Sequence, residues 1–267
     1  MLSRFSRGAG NRGWNSIPIL MYHEVSVHSH PALQKYVVSP QAFAAQMRWL
    51  ARAQYHPITL TAIADAFAGG PPLPSSPVVI TFDDAYRECV ANVTSVLLEY
   101  GFPASFFVVA GLVGESSRWF TARGGIELPL AGWSMMRHLV TAGFECGSHS
   151  FTHPRLAELG DAGCHEELSR SRLELEQRLG CAIVHLAYPH GSCDRRVSGL
   201  AAAAGYRTGC TVHPGMVSPA DDLLLLPRVP VEGTDSLPDF ISRLTTVRSL
   251  REHWSHFRQG GWRRRAV

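Results

Sequence analysis

Two adjacent carboxylates, Asp83 and Asp84, close the apolar run Pro77-Val78-Val79-Ile80-Thr81-Phe82. The run reads as a buried strand, which places both acids at its C-terminal tip. Further along, Gly143-Phe144-Glu145-Cys146 leads into Gly147-Ser148-His149-Ser150-Phe151-Thr152-His153, with two imidazoles at the end of a second apolar run. One carboxylate and two neutral imidazoles around a divalent cation leave positions open for water and substrate, and Zn2+ accepts such mixed ligation. Water bound there drops toward a pKa of ~7, and a second carboxylate nearby can take its proton. Successive residues of an extended strand point to opposite sides, so only one of Asp83 and Asp84 is expected to be a ligand. A lone histidine near a strand end is ordinarily a hydrogen-bonded core group, and an acid pair ordinarily a cap. Found together in this order, they favour a metal hydrolase.

Such residues must be brought together by the fold. Strand-like segments recur at 17–23, 58–60, 78–82, 104–110, 144–146, 184–188, 208–212 and 224–229. Helices are expected between them. One opens at Ser39-Pro40, with Ser as N-cap, Pro at the first helical position, and Phe43, Met47 and Leu50 at helical spacing. Others are expected from Thr61 and over 88–100, 133–142, 162–179 and 195–204, most with a glycine behind them. Strand–helix alternation implies right-handed βαβ units and a parallel sheet. About seven strands predict a closed or nearly closed α/β barrel, with a doubly wound open sheet as the alternative. Every polar cluster falls at a strand C-terminus, and a barrel would gather those tips around one pocket. The expected divisions are a flexible segment at 1–16, a barrel domain at 17–235, and a C-terminal helix with a basic tail at 236–267.

Thr81-Phe82-Asp83-Asp84 and His149-Ser150-x-x-His153 resemble the first two motifs of the polysaccharide deacetylases, the carbohydrate esterases with a NodB-homology domain. The resemblance runs from Pro18-Ile19-Leu20-Met21-Tyr22-His23 to Leu226-Pro227-Arg228. It implies a distorted (β/α) barrel that removes acetyl groups from N-acetylglucosamine residues, or O-acetyl groups from some glycans. It makes Asp83 the general base. It makes Asp84, His149 and His153 the ligands of a metal, usually zinc, with Co2+, Ni2+ or Mn2+ as alternatives. The family's third motif carries an Arg two residues ahead of a proline, beside the base. Here Ala187 stands two residues before Pro189, in a pattern resembling a Tyr-Pro-x-Gly subgroup of exopolysaccharide enzymes. Arg228 is the expected substitute for the missing charge. The late motif that supplies a general-acid histidine is not cleanly present; His213 is the nearest match, with His190 and His23 as alternatives. The backbone N–H of His190 is a candidate oxyanion donor. Tyr22, His23, Tyr188 and His190 are expected to line the substrate site, and one of Trp119, Phe120 and Trp133 could stack on a sugar ring.

Bulk properties narrow the setting. The chain has 267 residues, 45% of them hydrophobic, enough for one large core. A formal charge of +3 points to no nucleic-acid partner. Basic residues gather at the end, where seven Arg face one acid, Glu252, from Arg243 onward. That tail is read as solvated, with weak contact to anionic lipid headgroups as the sharper alternative. The six cysteines form no C-x-x-C pair and are expected to be reduced. The N-terminal residues show no secretory apolar stretch, so a cytoplasmic location is expected, at most at the inner membrane face. Two other functions fit less well. One is hydrolysis of a non-sugar C–N amide bond on the same scaffold. The other is non-catalytic glycan binding, against which the retention of Asp83 counts.

Overall fold

The apolar runs form strands and the segments between them form helices, over residues 16–119 and 126–254 described by the computed structural model. In chain order the strands are β1 (Ile19–Tyr22), β2 (Glu24–Val25), β3 (Val37–Val38), β4 (His56–Pro57), β5 (Pro77–Phe82), β6 (Ser105–Val108), β7 (Glu145–Ser148), β8 (His185–Ala187), β9 (Thr208–Pro214) and β10 (Leu226–Pro230). The helices are α1 (Pro40–Arg52), α2 (Leu60–Phe67), α3 (Arg87–Tyr100), α4 (Trp133–Thr141), α5 (Asp161–Leu179), α6 (Arg195–Ala203) and α7 (Leu237–Trp254). The main sheet runs β1-β10-β9-β8-β7-β6-β5 and closes by pairing of β1 with β5. Its pairings are all parallel. The result is the seven-stranded α/β barrel expected, and the β1–β5 ladder excludes an open doubly wound sheet. β4 adds to the flank of β5, and β2 and β3 form a separate small ladder.

The strands are buried on both faces, so period two sorts side chains between two cores. Ile19, Val79, Phe107, Ala187, Cys210 and Leu226 fill the barrel interior together with Leu60 and Ile63 of α2. Leu20, Val78, Ile80, Phe82, Phe106, Val108 and Leu186 belong to the larger core shared with the surrounding helices. Gly147 fits because a Cβ there would lie 2.7 Å from the Phe107 ring. The first turns of α7 are packed: Phe240 and Leu244 are buried in the larger core, and Arg243 pairs with Asp235 at 2.8 Å.

Residues 58–60 do not form the strand expected there; β4 lies slightly earlier, at His56–Pro57. Thr59 caps α2, its hydroxyl accepting the Ala62 N–H at 3.0 Å, and so commits Leu60 to the helix.

The N-terminal end of the barrel is closed by a carboxylate. Glu145 accepts the Leu60 and Thr61 N–H groups at the start of α2 (2.9 and 3.1 Å) and the Ser105 hydroxyl (2.7 Å). His185 Nε2 lies 3.4 Å from it. Burial pushes the Glu145 carboxyl up, but His185 and the Thr61 and Ser105 hydroxyls outweigh burial and hold it down at about 2. A depressed pKa stabilises the fold above the ordinary glutamate value and loses that effect as pH falls through the folded value. Glu145→Ala should therefore lower unfolding free energy by about 3 kcal/mol at pH 7. The gap should narrow as pH falls from 4.5 toward 2. Denaturant unfolding of both proteins across that range checks it, and a gap independent of pH would contradict the assignment.

Candidate metal centre

The C-terminal ends of β5 and β7 place the two motifs face to face. After Phe82 the chain turns sharply, with Asp84 and Ala85 both left-handed (φ 69° and 53°). The turn is held from the side: Ala131 N–H donates to Ala85 O, and Arg87 N–H to Pro129 O, both at 2.9 Å. Beyond β7, Ser150 and His153 are also left-handed (φ 62° and 67°). Such residues cost about 1 kcal/mol each outside glycine, so the surrounding bonds must impose them.

This geometry makes ligand atoms converge. Asp84 Oδ1 lies 3.5 Å from His149 Nε2 and 3.2 Å from His153 Nε2. The three ligand atoms all lie within 4.8 Å of one another, and the three residues are buried. His149 Nδ1 is 2.8 Å from the Ala187 carbonyl. A carbonyl can only accept, so the proton is on Nδ1 and the Nε2 lone pair faces the centre. Burial pushes the His149 imidazole down to about 4, against the pull of Asp83 and Asp84, which keeps it neutral. Burial raises the Asp84 carboxyl, but His153 and His149 outweigh burial and hold it far below the ordinary carboxylate range. Asp84 Oδ1 itself is buried with no hydrogen-bond partner among the described residues. An orphaned anionic oxygen facing two imidazole nitrogens is what a divalent cation would satisfy, so these residues fit a metal.

Asp83 occupies a different environment. It follows Val79 and Thr81 at period two on β5. The Arg228 guanidinium, fully buried on β10, donates to Asp83 Oδ1 and Oδ2 at 2.7 Å each. Arg228 also donates from Nε to Thr211 O (2.8 Å) and from Nη1 to Thr81 Oγ1 (3.2 Å). Burial would raise the Asp83 carboxyl; the charge and hydrogen bonds of Arg228 outweigh that and lower it, with His149 and His23 adding to the effect. His23, at the tip of β1, places Nε2 3.9 Å from Asp83 Oδ2, and its ring packs edge-on against Tyr36.

The other sequence candidates fall in varied places. Tyr22 does not reach the site: it is fully buried, its hydroxyl donates to Gln46 Oε1 (2.9 Å), and its ring stacks on Phe82. Tyr188 is likewise in the core, donating to Leu224 O at 2.9 Å. Both point away because they are helix-facing residues of the barrel wall. His213 is exposed on β9, and among the described residues no hydrogen bond or ion pair joins its side chain to the cluster. His190, in a left-handed turn (φ 57°), packs its ring edge-on against His153 at 4.5 Å. Trp119 stacks on His153 at 4.1 Å. Trp133 instead lies under the Arg178 guanidinium of α5, and Phe120 lies outside the described residues. Tyr36 and Thr211 were not singled out from sequence; nothing local marks them, since their roles arise from contacts across the barrel mouth.

Residues 70–209, just over half of the chain, match the family described as polysaccharide deacetylase. The chain is 25% identical over 215 residues to a Bacillus subtilis protein provisionally named as a polysaccharide deacetylase, YxkH, covering 80% of this chain and 71% of that one. It is 24% identical over 272 residues to the poly-β-1,6-N-acetyl-D-glucosamine N-deacetylase of Escherichia coli strain K12, covering 87% of this chain but only 39% of that relative. Among solved structures, a polysaccharide deacetylase from Bacillus cereus superposes with a TM-score of 0.73 at 25% identity, over 86% of this chain and 69% of that one.

Removing one partner of the buried Asp83–Arg228 pair leaves an uncompensated charge. Arg228→Ala should cost about 3–5 kcal/mol of stability at neutral pH. Equilibrium denaturant unfolding measures it, and a loss within experimental error would show that the pair is not closed in solution.

Proposed function

This chain belongs to the polysaccharide deacetylase family, and from that premise we propose that it hydrolyses acetyl groups from an N-acetylglucosamine polymer or its precursor. The observation that carries the reading is the convergence of Asp84 Oδ1, His149 Nε2 and His153 Nε2 beside a separately clamped Asp83. The name of the Escherichia coli relative favours a β-1,6-linked substrate. Asp84, His149 and His153 are the proposed metal ligands, and mixed nitrogen and oxygen donors favour Zn2+, with Co2+, Ni2+ or Mn2+ as substitutes. A divalent metal bound there would acidify water and polarise the acetyl carbonyl.

The remaining work falls to the chain itself. Asp83, ionised because Arg228 depresses its pKa, accepts the proton of the attacking water. Arg228 fixes both carboxylate oxygens and so takes the place of the Arg missing at Ala187, consistent with the Tyr-Pro-x-Gly subgroup. His23 is a better proton donor for the leaving amine than His213, because it faces Asp83 and remains partly open to solvent. The His190 backbone N–H is the proposed oxyanion donor. Trp119 and the His190 ring are the proposed walls for the sugar, in place of Tyr22 and Tyr188. The catalytic unit is proposed to span 17–235. No helix among the described residues is long and apolar enough to cross a membrane. Contact of the basic tail with anionic lipid stays a proposal, since 255–267 lie outside the described residues.

Acetate release from β-1,6-linked N-acetylglucosamine oligomers tests the reading. Activity should vanish with a chelator and return with Zn2+. His23→Ala should lower kcat about 100-fold, while His213→Ala should leave it within about threefold. Acetate release that persists in a chelator would overturn the metal-dependent reading, and the opposite ranking of the two histidines would overturn the assignment of the acid.

A further inference from the structure

Four consecutive backbone amides between the two histidines are held by side chains rather than by secondary structure. Ser150 N–H donates to Ser148 Oγ at 3.1 Å, and His153 N–H to Ser150 Oγ at 3.0 Å. The two amides between them, Phe151 and Thr152, both donate to Glu167 Oε2 at 2.8 Å. The Thr152 hydroxyl donates to Glu167 Oε1 at 2.6 Å. One helical turn along α5, Ser171 Oγ lies 2.7 Å from Ser148 Oγ. On the opposite side, the Ser150 and Phe151 carbonyls accept the N–H groups of Ala110 and Gly111 (3.1 and 2.8 Å). The loop is thus pinned by its amides to α5 and by its carbonyls to the end of β6.

The two histidines do not share their support equally. The His149 ring is aimed by the Ala187 carbonyl. His153 Nδ1 is buried with no hydrogen-bond partner among the described residues. The direction of His153 therefore comes from its left-handed backbone and from the stack on Trp119. A carboxylate has lone pairs enough for all three donors.

We propose that Glu167 is a positioning residue that closes the His149–His153 loop and so brings His153 Nε2 onto the site it shares with His149 and Asp84. The proposal rests on the metal-centre reading above. Glu167 belongs to α5, outside both histidine positions, and acts through the backbone. An ordinary helix anchor would lend stability alone; a positioning residue must also change what the site binds.

The test uses the full chain with Glu167→Ala, Glu167→Gln and, as control, the exposed neighbour Glu166→Ala. Zn2+ affinity is measured by competition with a chelator, the visible spectrum is recorded with Co2+ in place of zinc, and amide hydrogen exchange is followed at Phe151 and Thr152. Glu167→Ala should raise the Zn2+ Kd about 10–100-fold, alter the Co2+ bands and speed exchange of both amides. Glu167→Gln, which keeps one acceptor oxygen and the size of the side chain, should fall between, and Glu166→Ala should match the wild type. If Glu167→Ala does not fold, the glutamine variant is read by the same criteria. A wild-type Kd and Co2+ spectrum in either Glu167 variant would overturn the positioning role. Unchanged amide exchange would overturn the clamp alone. Wild-type protein that takes up no zinc would instead overturn the metal-centre reading, and this proposal with it.

Discussion

The bidentate pair between Asp83 and Arg228 is the constraint on which the barrel mouth depends. Two buried carboxylates adjacent in sequence repel each other and resist ionisation unless each meets positive charge. Arg228 supplies that charge to Asp83 through direct bonds to both oxygens at 2.7 Å. Asp84 Oδ1 instead faces the His149 and His153 imidazole nitrogens, with no hydrogen bond of its own among the described residues. The pair therefore divides two chemically identical residues into an ionised carboxylate with a fixed orientation and an unsatisfied carboxylate facing two imidazoles. It also links β5 to β10 across β1, where the barrel closes.

The backbone at the mouth is bent to serve this division. Asp84, Ala85, Ser150, His153 and His190 all adopt left-handed conformations without being glycine. Each is costly by itself, and each is offset by nearby bonds: the 129–131 segment at the Asp84 turn, the Glu167 and serine bonds at the histidine loop, and the Gly191 N–H to Tyr188 O bond around His190. At the other end of the barrel, Glu145 satisfies the start of α2 and lies against His185, so the end away from Asp84, His149 and His153 is closed by a buried polar network. The regular apolar wall between the two ends allows the mouth to carry strain.

Much of this was legible in the chain. The Val78–Phe82 run and the glycine-terminated helices announce βαβ units. The Asp pair and His149-x-x-x-His153 announce the convergence of Asp84, His149 and His153, because each is a local pattern tied to a strand end. The 58–60 run forms no strand because the capping hydroxyl of Thr59 outweighs the β-propensity of its neighbours. What stayed hidden depended on distance or on facing. Tyr22 and Tyr188 flank the motifs in sequence, yet the pleat turns them to the helix-facing core. Arg228 could be named as a candidate, but its bonds to Thr81, Asp83 and Thr211 come from strands that only closure brings together. Glu167 carries no motif at all, since a helix-face glutamate is commonplace until the loop it caps is known.

Asp83 and Asp84, alike in chemistry and adjacent in sequence, are proposed to do different work. Metal content of Asp83→Asn and Asp84→Asn, measured by mass spectrometry after loading with equal zinc, decides it. Near-stoichiometric zinc is expected in Asp83→Asn and little in Asp84→Asn, with both unable to release acetate. Equal loss of zinc in the two variants would contradict it.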